Sequence, residues 1–258
     1  MTQTATAVIP ARMASSRYPN KPLAMILGLP MIEHVRRRAL LAHGIDDVVV
    51  ATCDQAIVDV VTAAGGKAVL TSDNHTRCTT RVEEAMSNID GEIVVIVQGD
   101  EPLVLPEAIE QVVAPLQDRP DIPCTNLLSI IESEEDFEDV NIVKAATDQA
   151  GFVMYFSRAA IPFFRETCDC PIFRQMGIMA FRTPFLTEYA ALPETPFERA
   201  ESIDMLRLLE HGHRILGVPT KHATIGVDFA SDIDRVERIL KTDAKQQALY
   251  RRIIKGRP

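Results

Sequence analysis

Apolar strand segments alternate with amphipathic helical segments through the first half of the chain, and this alternation limits the possible folds more than any other feature. Parallel strands need a long crossover connection, which a helix usually supplies with right-handed geometry. The alternation therefore predicts a parallel sheet flanked by helices. The predicted strands are Thr6–Pro10, Asp47–Thr52, Lys67–Leu70 and Gly91–Gln98, and the predicted helices are Pro30–His43, Gln55–Ala64, Arg81–Met86 and Pro106–Leu116.

The second half of the chain is richer in strand segments and loses the regular alternation. Its predicted strands are Thr125–Ile131, Val143–Ala146, Val153–Phe156, Gly177–Phe181, Arg214–Val218 and Ala223–Val227, and its predicted helices are Glu198–His211, Asp232–Leu240 and Ala244–Ile254. No repeat, low-complexity tract or linker divides the sequence. We therefore predict one α/β domain over residues 1–258 with a central mixed, mostly parallel sheet. A small β-rich lobe is expected within approximately residues 125–215.

Composition excludes several classes of function. The 258 residues carry a net charge of −9, so the overall field opposes nucleic-acid binding and does not favour anionic membranes. We expect no transmembrane helix and no signal peptide, because no apolar run has the required length or flanking charge. The five cysteines are scattered and odd in number, which is typical of reduced thiols in a cytoplasmic protein. An anionic substrate would need a local basic site.

Such a basic site follows the first predicted strand, in the segment AVIPARMASSRYPNKPL at residues 7–23. Arg12, Arg17 and Lys21 lie on this loop, at the edge of a parallel sheet where ligands usually bind. Neither the glycine-rich dinucleotide motif nor the P-loop motif is present. The three cations could instead neutralise a triphosphate through their side chains. The alternative is a solvated loop whose charges are incidental.

Several motifs in this order resemble the sugar nucleotidyltransferases, and more specifically the cytidylyltransferases that activate 3-deoxy-manno-octulosonate (KDO). The first is the loop just described, with the pattern R-x-x-S-x-R-x-x-x-K-x-L. The others are LPMIEHV at 29–35, VVVATCD at 48–54, VQGDEPLV at 97–104, YFSRAAIP at 155–162 and GVDFASDIDRV at 226–236. The resemblance spans nearly the whole chain. It implies a Rossmann-like nucleotide-diphospho-sugar transferase fold and a homodimer.

The resemblance also implies a reaction and a set of residues. A hydroxyl of a 3-deoxy-ulosonic acid would attack the α-phosphate of CTP and release pyrophosphate. Asp100 and Asp228 each follow a predicted strand and would hold Mg²⁺, although Asp100 could instead be a turn residue or helix cap. Arg12, Lys21 and Asp100 would be catalytic. The nucleotide would be bound by Ala11, Arg12, Ser16, Arg17, Lys21, Thr79, Arg81, Gln98 and Gly99.

The chain departs from the family pattern where the acceptor acid is expected. Arg77-Cys78 replaces Ser-Gly beside the nucleobase, which bears on base preference. Gln175 and Met179 replace a His and a Tyr, and Asp204-Met205 replaces a Glu-Gln pair. The predicted acceptor-binding residues are Arg158, Gln175, Met179, Asp204 and Met205.

These changes remove hydrogen-bonding groups, so we expect an acceptor that differs from ordinary KDO. Simple core packing of Met179 and Met205 is the alternative explanation. Two other functions stay open, which are nucleotidyl transfer to a different anionic acceptor and a metal-dependent glycosyltransferase of related fold.

Overall fold

The computed structural model describes residues 3–14, 17–166, 169–222 and 225–255. The first half contains the predicted alternation. Its strands are β1 (Ala5–Ala11), β2 (Met25–Ile26), β3 (Leu29–Pro30), β4 (Asp47–Thr52), β5 (Lys67–Leu70) and β6 (Ile93–Val97). Its helices are α1 (Met31–Ala39), α2 (Gln55–Ala63), α3 (Cys78–Met86) and α4 (Pro106–Asp118), and a single 3₁₀ turn covers Lys21–Leu23.

The second half combines short helices with antiparallel strands. Its strands are β7 (Cys124–Ile130), β8 (Lys144–Thr147), β9 (Val153–Ser157), β10 (Phe173–Arg182) and β11 (Leu216–Thr220). Its helices are α5 (Glu134–Glu138), α6 (Thr183–Ala191), α7 (Pro196–Glu201), α8 (Leu206–Glu210), α9 (Asp232–Thr242) and α10 (Ala244–Ile254).

Several predicted elements differ from the structure. The first helix ends at Ala39, four residues before the predicted end. The predicted helix Glu198–His211 is interrupted because Ser202 adopts a left-handed backbone with φ of 53°, which helices do not tolerate. In the predicted strand Ala223–Val227, Ala223 and Thr224 lie outside the described residues, and 225–227 form no strand.

The main sheet is mixed and mostly parallel, and its strand order is β11-β7-β10-β6-β1-β4-β5. Parallel pairs join β1 to β4 and β6, β4 to β5, and β7 to β11. Only β10 runs against its neighbours β6 and β7 among these described strands. The β8–β9 hairpin joins the sheet where β8 pairs with β10. Because β1, β4 and β6 are parallel, their carboxyl ends lie at one edge.

The sheet is buried on both faces, which explains why its central strands read as continuous apolar runs. Along β6, Ile93, Val95 and Val97 pack into one core cluster, which also contains residues of α1 and α4. Val94 and Ile96 pack into the other cluster, with residues of α3 and α6. The central strands are therefore held rigidly between two helical layers, so the loops at their carboxyl ends start from fixed positions.

Among the described helices, none combines the length and apolar character that crossing a lipid bilayer requires.

Candidate active site

A cavity of about 340 Å³ opens at the edge of the sheet where β1 and β6 end. The loop after β1, the segment leading into α3, the loop after β6 and Asp228 all contribute to its walls. The lining residues are Pro10, Ala11, Arg12, Ala14, Arg17, Lys21, Pro22, His75, Thr76, Arg77, Cys78, Arg81, Gln98, Gly99, Asp100 and Asp228. The fold therefore brings the predicted cationic loop together with both predicted metal-binding carboxylates.

Lys21 places its ammonium between those two carboxylates. Its Nζ lies 2.6 Å from Asp100 Oδ2 and 3.9 Å from Asp228 Oδ1. It also donates a hydrogen bond of 2.7 Å to the carbonyl of Val227. Arg17 Nη2 lies 3.2 Å from Asp228 Oδ1. Backbone pairing between Val227 N and Asp100 O, at 2.9 Å, joins the two carboxylate-bearing segments and fixes this arrangement.

The same two carboxylates fit a magnesium ion. Mg²⁺ takes oxygen ligands and is commonly held by one or two carboxylates together with phosphate oxygens and water. Asp100 and Asp228 converge on one cation, and their side chains are 38% and 50% exposed, so phosphate oxygens could reach the same point. Within the described ranges, no group of three or more His, Cys, Asp or Glu side chains is gathered as for a metal.

The loop after β1 and the loop after β6 approach each other closely. A Cβ at Gly99 would lie 2.8 Å from the carbonyl oxygen of Pro10, so this approach requires glycine. Ala11 and Arg12 line the cavity beside this contact, and the Arg12 side chain is exposed. Ser16, which the sequence predicts to bind nucleotide, lies outside the described residues.

The start of α3 supplies another wall. Arg81 is only 3% exposed, and its Nη1 donates to Thr71 Oγ1 at 2.6 Å and to the Ser72 carbonyl at 3.1 Å. Thr79 is fully buried and donates its hydroxyl hydrogen bond to Asp204. Arg81 and Thr79, two of the predicted nucleotide-binding residues, are thus held by protein partners, and of these two only Arg81 lines the cavity.

Cys78 and Gln98 connect α3 to the end of β6. The Gln98 amide nitrogen lies 3.3 Å from Cys78 Sγ. Burial raises the pKa of the Cys78 thiol to about 11. The thiol is therefore protonated at neutral pH and is not a nucleophile, since the thiolate is the reactive form.

Of the predicted acceptor residues, Gln175 and Met179 lie on β10, Asp204 and Met205 lie on the turn between α7 and α8, and Arg158 directly follows β9. Gly177 of β10 approaches Gln98 of the cavity closely, because a Cβ there would lie 2.5 Å from Gln98 Cγ and 2.7 Å from Glu101 Oε1. The Asp204 bond to Thr79 ties the turn to α3. None of the five predicted acceptor residues is among the residues that line the cavity itself.

A β-bulge interrupts the pairing of β10 with β7 between Gln175 and Met179. Asn126 of β7 fills it, donating from its amide nitrogen to the carbonyls of Met176 at 2.9 Å and Ile178 at 3.2 Å. Its amide oxygen accepts a 2.7 Å bond from Gln175 Nε2. Bulges of this kind are common beside active sites, where they redirect side chains.

Met179 and Met205 belong to the hydrophobic core. They are 3% and 0% exposed and pack in the same cluster, on the α3 and α6 side of the sheet. This location gives both residues a packing role, which the sequence had left as the alternative. It weakens the expectation that they signal a different acceptor.

Arg158 is engaged with the backbone of neighbouring segments. Its Nε donates to the carbonyl of Glu201 at 2.7 Å, and its Nη1 donates to the carbonyl of Val140 at 3.1 Å. The Glu201 carboxylate accepts in return from the Arg158 backbone N–H at 2.9 Å and from the Ser157 hydroxyl at 2.7 Å. Arg158 therefore holds the end of α7 in place.

Several residues that line the cavity were not among the predicted site residues, including His75 and Arg77. His75 lines the cavity, with Nδ1 3.0 Å from Thr80 Oγ1 and Nε2 bonded to the Glu84 carboxylate. This hydrogen bond is the main cause of the lowered pKa of Glu84. Arg77 also lines the cavity, although the sequence had suggested only a change beside the nucleobase. For His75, the sequence signal was its spacing from Thr80 and Glu84, which lie five and nine residues later and bond to it.

Comparison with known proteins identifies the family of this chain. A family model described as Cytidylyltransferase matches residues 6–215. A 3-deoxy-manno-octulosonate cytidylyltransferase of Syntrophotalea carbinolica is 45% identical over 245 residues, which cover 92% of this chain and 98% of that protein. The protein of the same name from Geobacter sulfurreducens is 42% identical over 247 residues, covering 92% and 99% of the two chains.

Comparison with solved structures supports the same family. The structure of a CMP:2-keto-3-deoxy-manno-octonic acid synthetase complexed with CTP superposes with a TM-score of 0.89 at 37% identity, covering 93% of this chain and 99% of that one. A cytidylyltransferase from Leptospira borgpetersenii, at 17% identity and a TM-score of 0.64, shares the fold. On these matches, which run through nearly its whole length, the chain belongs to the 3-deoxy-manno-octulosonate cytidylyltransferase family.

Proposed function

We propose that this protein transfers CMP from CTP to a hydroxyl of a 3-deoxy-ulosonic acid of the KDO class and releases pyrophosphate. The observation that carries the proposal is the convergence of Lys21, Asp100 and Asp228 beside the cations Arg12 and Arg17 in one cavity. This arrangement suits a nucleoside triphosphate with its counter-ion. The relatives named above carry the same activity in their names.

In this reaction the acceptor oxygen forms a bond to the α-phosphorus, and the bond from that phosphorus to the pyrophosphate oxygen breaks. Such transfers depend mainly on positioning and charge neutralisation. Arg12, Arg17 and Lys21 would hold the phosphate oxygens. Asp100 and Asp228 would hold Mg²⁺, which supplies charge neutralisation and lowers the pKa of a bound hydroxyl.

The remaining nucleotide contacts would come from the walls beside these cations. Ala11, Gln98, Gly99 and Arg81 line the cavity, and Thr79 is buried on α3 next to Cys78, which also lines it. Gly99 presents only backbone atoms to the cavity, because a side chain there would clash with the carbonyl oxygen of Pro10. We propose that these groups receive the nucleoside and that Ser16 completes the phosphate contacts.

We propose that the acceptor binds where the start of α3, the α7–α8 turn and β10 adjoin the cavity. Asp204 and Gln175 supply polar groups there, Met179 and Met205 form the apolar support beneath them, and Arg158 fixes the turn. Because both methionines pack in the core, KDO itself is the first acceptor to test.

The direct test measures pyrophosphate release by purified protein with Mg²⁺, across CTP, UTP, GTP and ATP, against a panel of ulosonic acids that includes KDO. We expect release with CTP and one or more of the acids, and little with the other nucleotides. Absence of release with every pair, from protein that still binds CTP, would contradict the proposed activity. Release from a nucleotide sugar instead would favour the glycosyltransferase alternative.

We also propose a cytoplasmic homodimer. The described cysteines Cys53, Cys78, Cys124 and Cys170 are free thiols, as in a reducing compartment. Large apolar side chains are exposed near the β8–β9 hairpin, where Met154 is 61% and Phe163 is 87% exposed. An apolar surface of this kind is typical of a protein interface. Light scattering coupled to size-exclusion chromatography would give twice the 28.6 kDa chain mass if the proposal holds.

A further inference from the structure

Arg77 lies at the junction between the nucleotide cavity and the turn that follows α7. Its side chain lines the cavity together with Lys21 and Asp100. Its Nη1 donates to Ser202 Oγ at 3.2 Å. Ser202 lies in the same turn as Asp204, which is bonded to α3. Arg77 is therefore a cation on the side of the cavity where the proposed acceptor would bind.

The two carboxylates nearest to Arg77 lie at ion-pair distance but do not hydrogen-bond to it, so they leave its guanidinium N–H groups uncommitted. Within the described residues, its nearest acidic oxygens are Glu194 Oε1 at 3.7 Å and Glu198 Oε1 at 3.8 Å, both beyond hydrogen-bonding distance. Glu198 is fully buried and already accepts two short bonds from Arg207, at 2.6 and 2.7 Å. Glu194 is 46% exposed, so its attraction is screened by water.

Arg12 also lines the cavity and is proposed above to hold phosphate oxygens, and three further arginines have protein partners. Arg17 pairs with Asp228, on the side where the phosphates are proposed to bind. Arg81 donates to Thr71 and Ser72 within the protein. Arg158 donates hydrogen bonds from two of its guanidinium nitrogens to backbone carbonyls and does not line the cavity.

We propose that Arg77 binds the carboxylate of the sugar-acid acceptor and so determines acceptor specificity. The inference rests on the proposed function and deepens it. A guanidinium can hold a carboxylate through two parallel hydrogen bonds, which fixes orientation as well as position. In a 2-ulosonic acid the carboxylate is attached to the carbon that bears the reacting hydroxyl. A carboxylate held by Arg77 therefore orients the nucleophile toward the α-phosphate.

The test compares Arg77→Ser, Arg77→Lys and Arg199→Ser. The control Arg199 is exposed on α7 and does not line the cavity, so its loss changes net charge equally in the same lobe. We expect Arg77→Ser to lower kcat/KM for the acceptor about 10- to 100-fold, the size expected for a lost charged hydrogen-bonding partner. The KM for CTP should change less than about twofold. Arg77→Lys should show an intermediate loss, and Arg199→Ser should match the wild type.

A second measurement separates carboxylate binding from a structural role. Wild-type protein should prefer the acceptor acid over its carboxamide analogue, and Arg77→Ser should reduce that preference by the same factor as it reduces kcat/KM. An unchanged preference, or a loss that falls on the KM for CTP, would overturn the assignment. A wild-type protein inactive with every acid would instead overturn the proposed function and the assignment with it.

Discussion

At the scale of single residues, the sequence motifs predicted some of the charged groups that line the cavity, although Arg158 and Asp204 lie outside its lining. Lys21, Asp100 and Asp228 come together in the structure as the sequence suggested. The sequence could not assign Met179 and Met205 to the core or to the acceptor pocket, because methionine is common in both environments. Only the three-dimensional packing places them in the core.

The carboxylates of the site allow a first prediction. Asp100→Asn and Asp228→Asn should each reduce kcat by about 10²-fold or more, because each removes a negative charge from the proposed metal site without changing side-chain size. Pyrophosphate release and thermal unfolding would be measured together. Asp47→Asn is the matched control, since it removes a carboxylate from an outlying ion pair with Lys67. Full activity in either site variant would contradict the metal assignment.

His34 makes stability depend on pH. Burial lowers the pKa of His34 to about 4, from an ordinary value near 6.5, and the neutral ring bonds to the Ile26 carbonyl at 2.9 Å. Between these two values the unfolded chain binds more protons than the folded protein, so the free energy of unfolding falls as pH falls.

We expect His34 to account for a loss of about 3 kcal/mol between pH 7 and pH 4, from a shift of this size. Urea unfolding of His34→Gln, which cannot titrate, should show a pH dependence that is shallower by this amount. Parallel curves for the variant and the wild type would show that His34 is not the titrating group.

At the scale of elements, the sequence predicted a long helix where the structure has two short ones. Thr195 and Glu198 form a capping box at the start of α7, and Ser202 ends that helix after Glu201. The apolar periodicity of the segment continues through the break, so the sequence pattern did not indicate that the helix is interrupted. The break is what brings Asp204 against Thr79 and Ser202 against Arg77.

Glu198 should be important for joining α7 to α8. It is fully buried, and its hydrogen bonds raise the pKa of Arg207 on α8. Glu198→Gln would leave the Arg207 charge buried without a charged partner, which should cost about 3–5 kcal/mol in the free energy of unfolding. Glu194→Gln, at a 46% exposed position two residues before the helix, should cost less than about 0.5 kcal/mol. Equal losses in urea unfolding would refute the distinction.

At the scale of the whole molecule, strand and helix periodicity was sufficient to predict a mixed, mostly parallel sheet flanked by helices. The position of β10 was not predictable, because it pairs with β6, which lies about 80 residues earlier in the chain, and no local pattern reports such a partner. The acceptor residues of β10 consequently had no predictable location relative to the cavity.

The molecule is acidic overall, with a net charge of −9, yet Arg12, Arg17, Lys21 and Arg77 line its cavity. The electrostatic attraction of an anionic nucleotide therefore comes from these local cations, and dissolved salt should partly screen it. We expect the dissociation constant of CTP to rise about three- to tenfold between 0.05 and 0.5 M NaCl, as measured by calorimetry. An affinity that is independent of salt would argue against phosphate binding by these side chains.

Lys21 has a consequence for how the chain reaches its folded state. Two carboxylates brought together without a cation would repel each other, but here the ammonium acts as an internal counter-ion for Asp100 and Asp228. The protein should therefore melt at the same temperature with and without a chelator, even where chelation abolishes turnover. A newly synthesised chain can then fold before any ion or nucleotide reaches it, and loading follows folding.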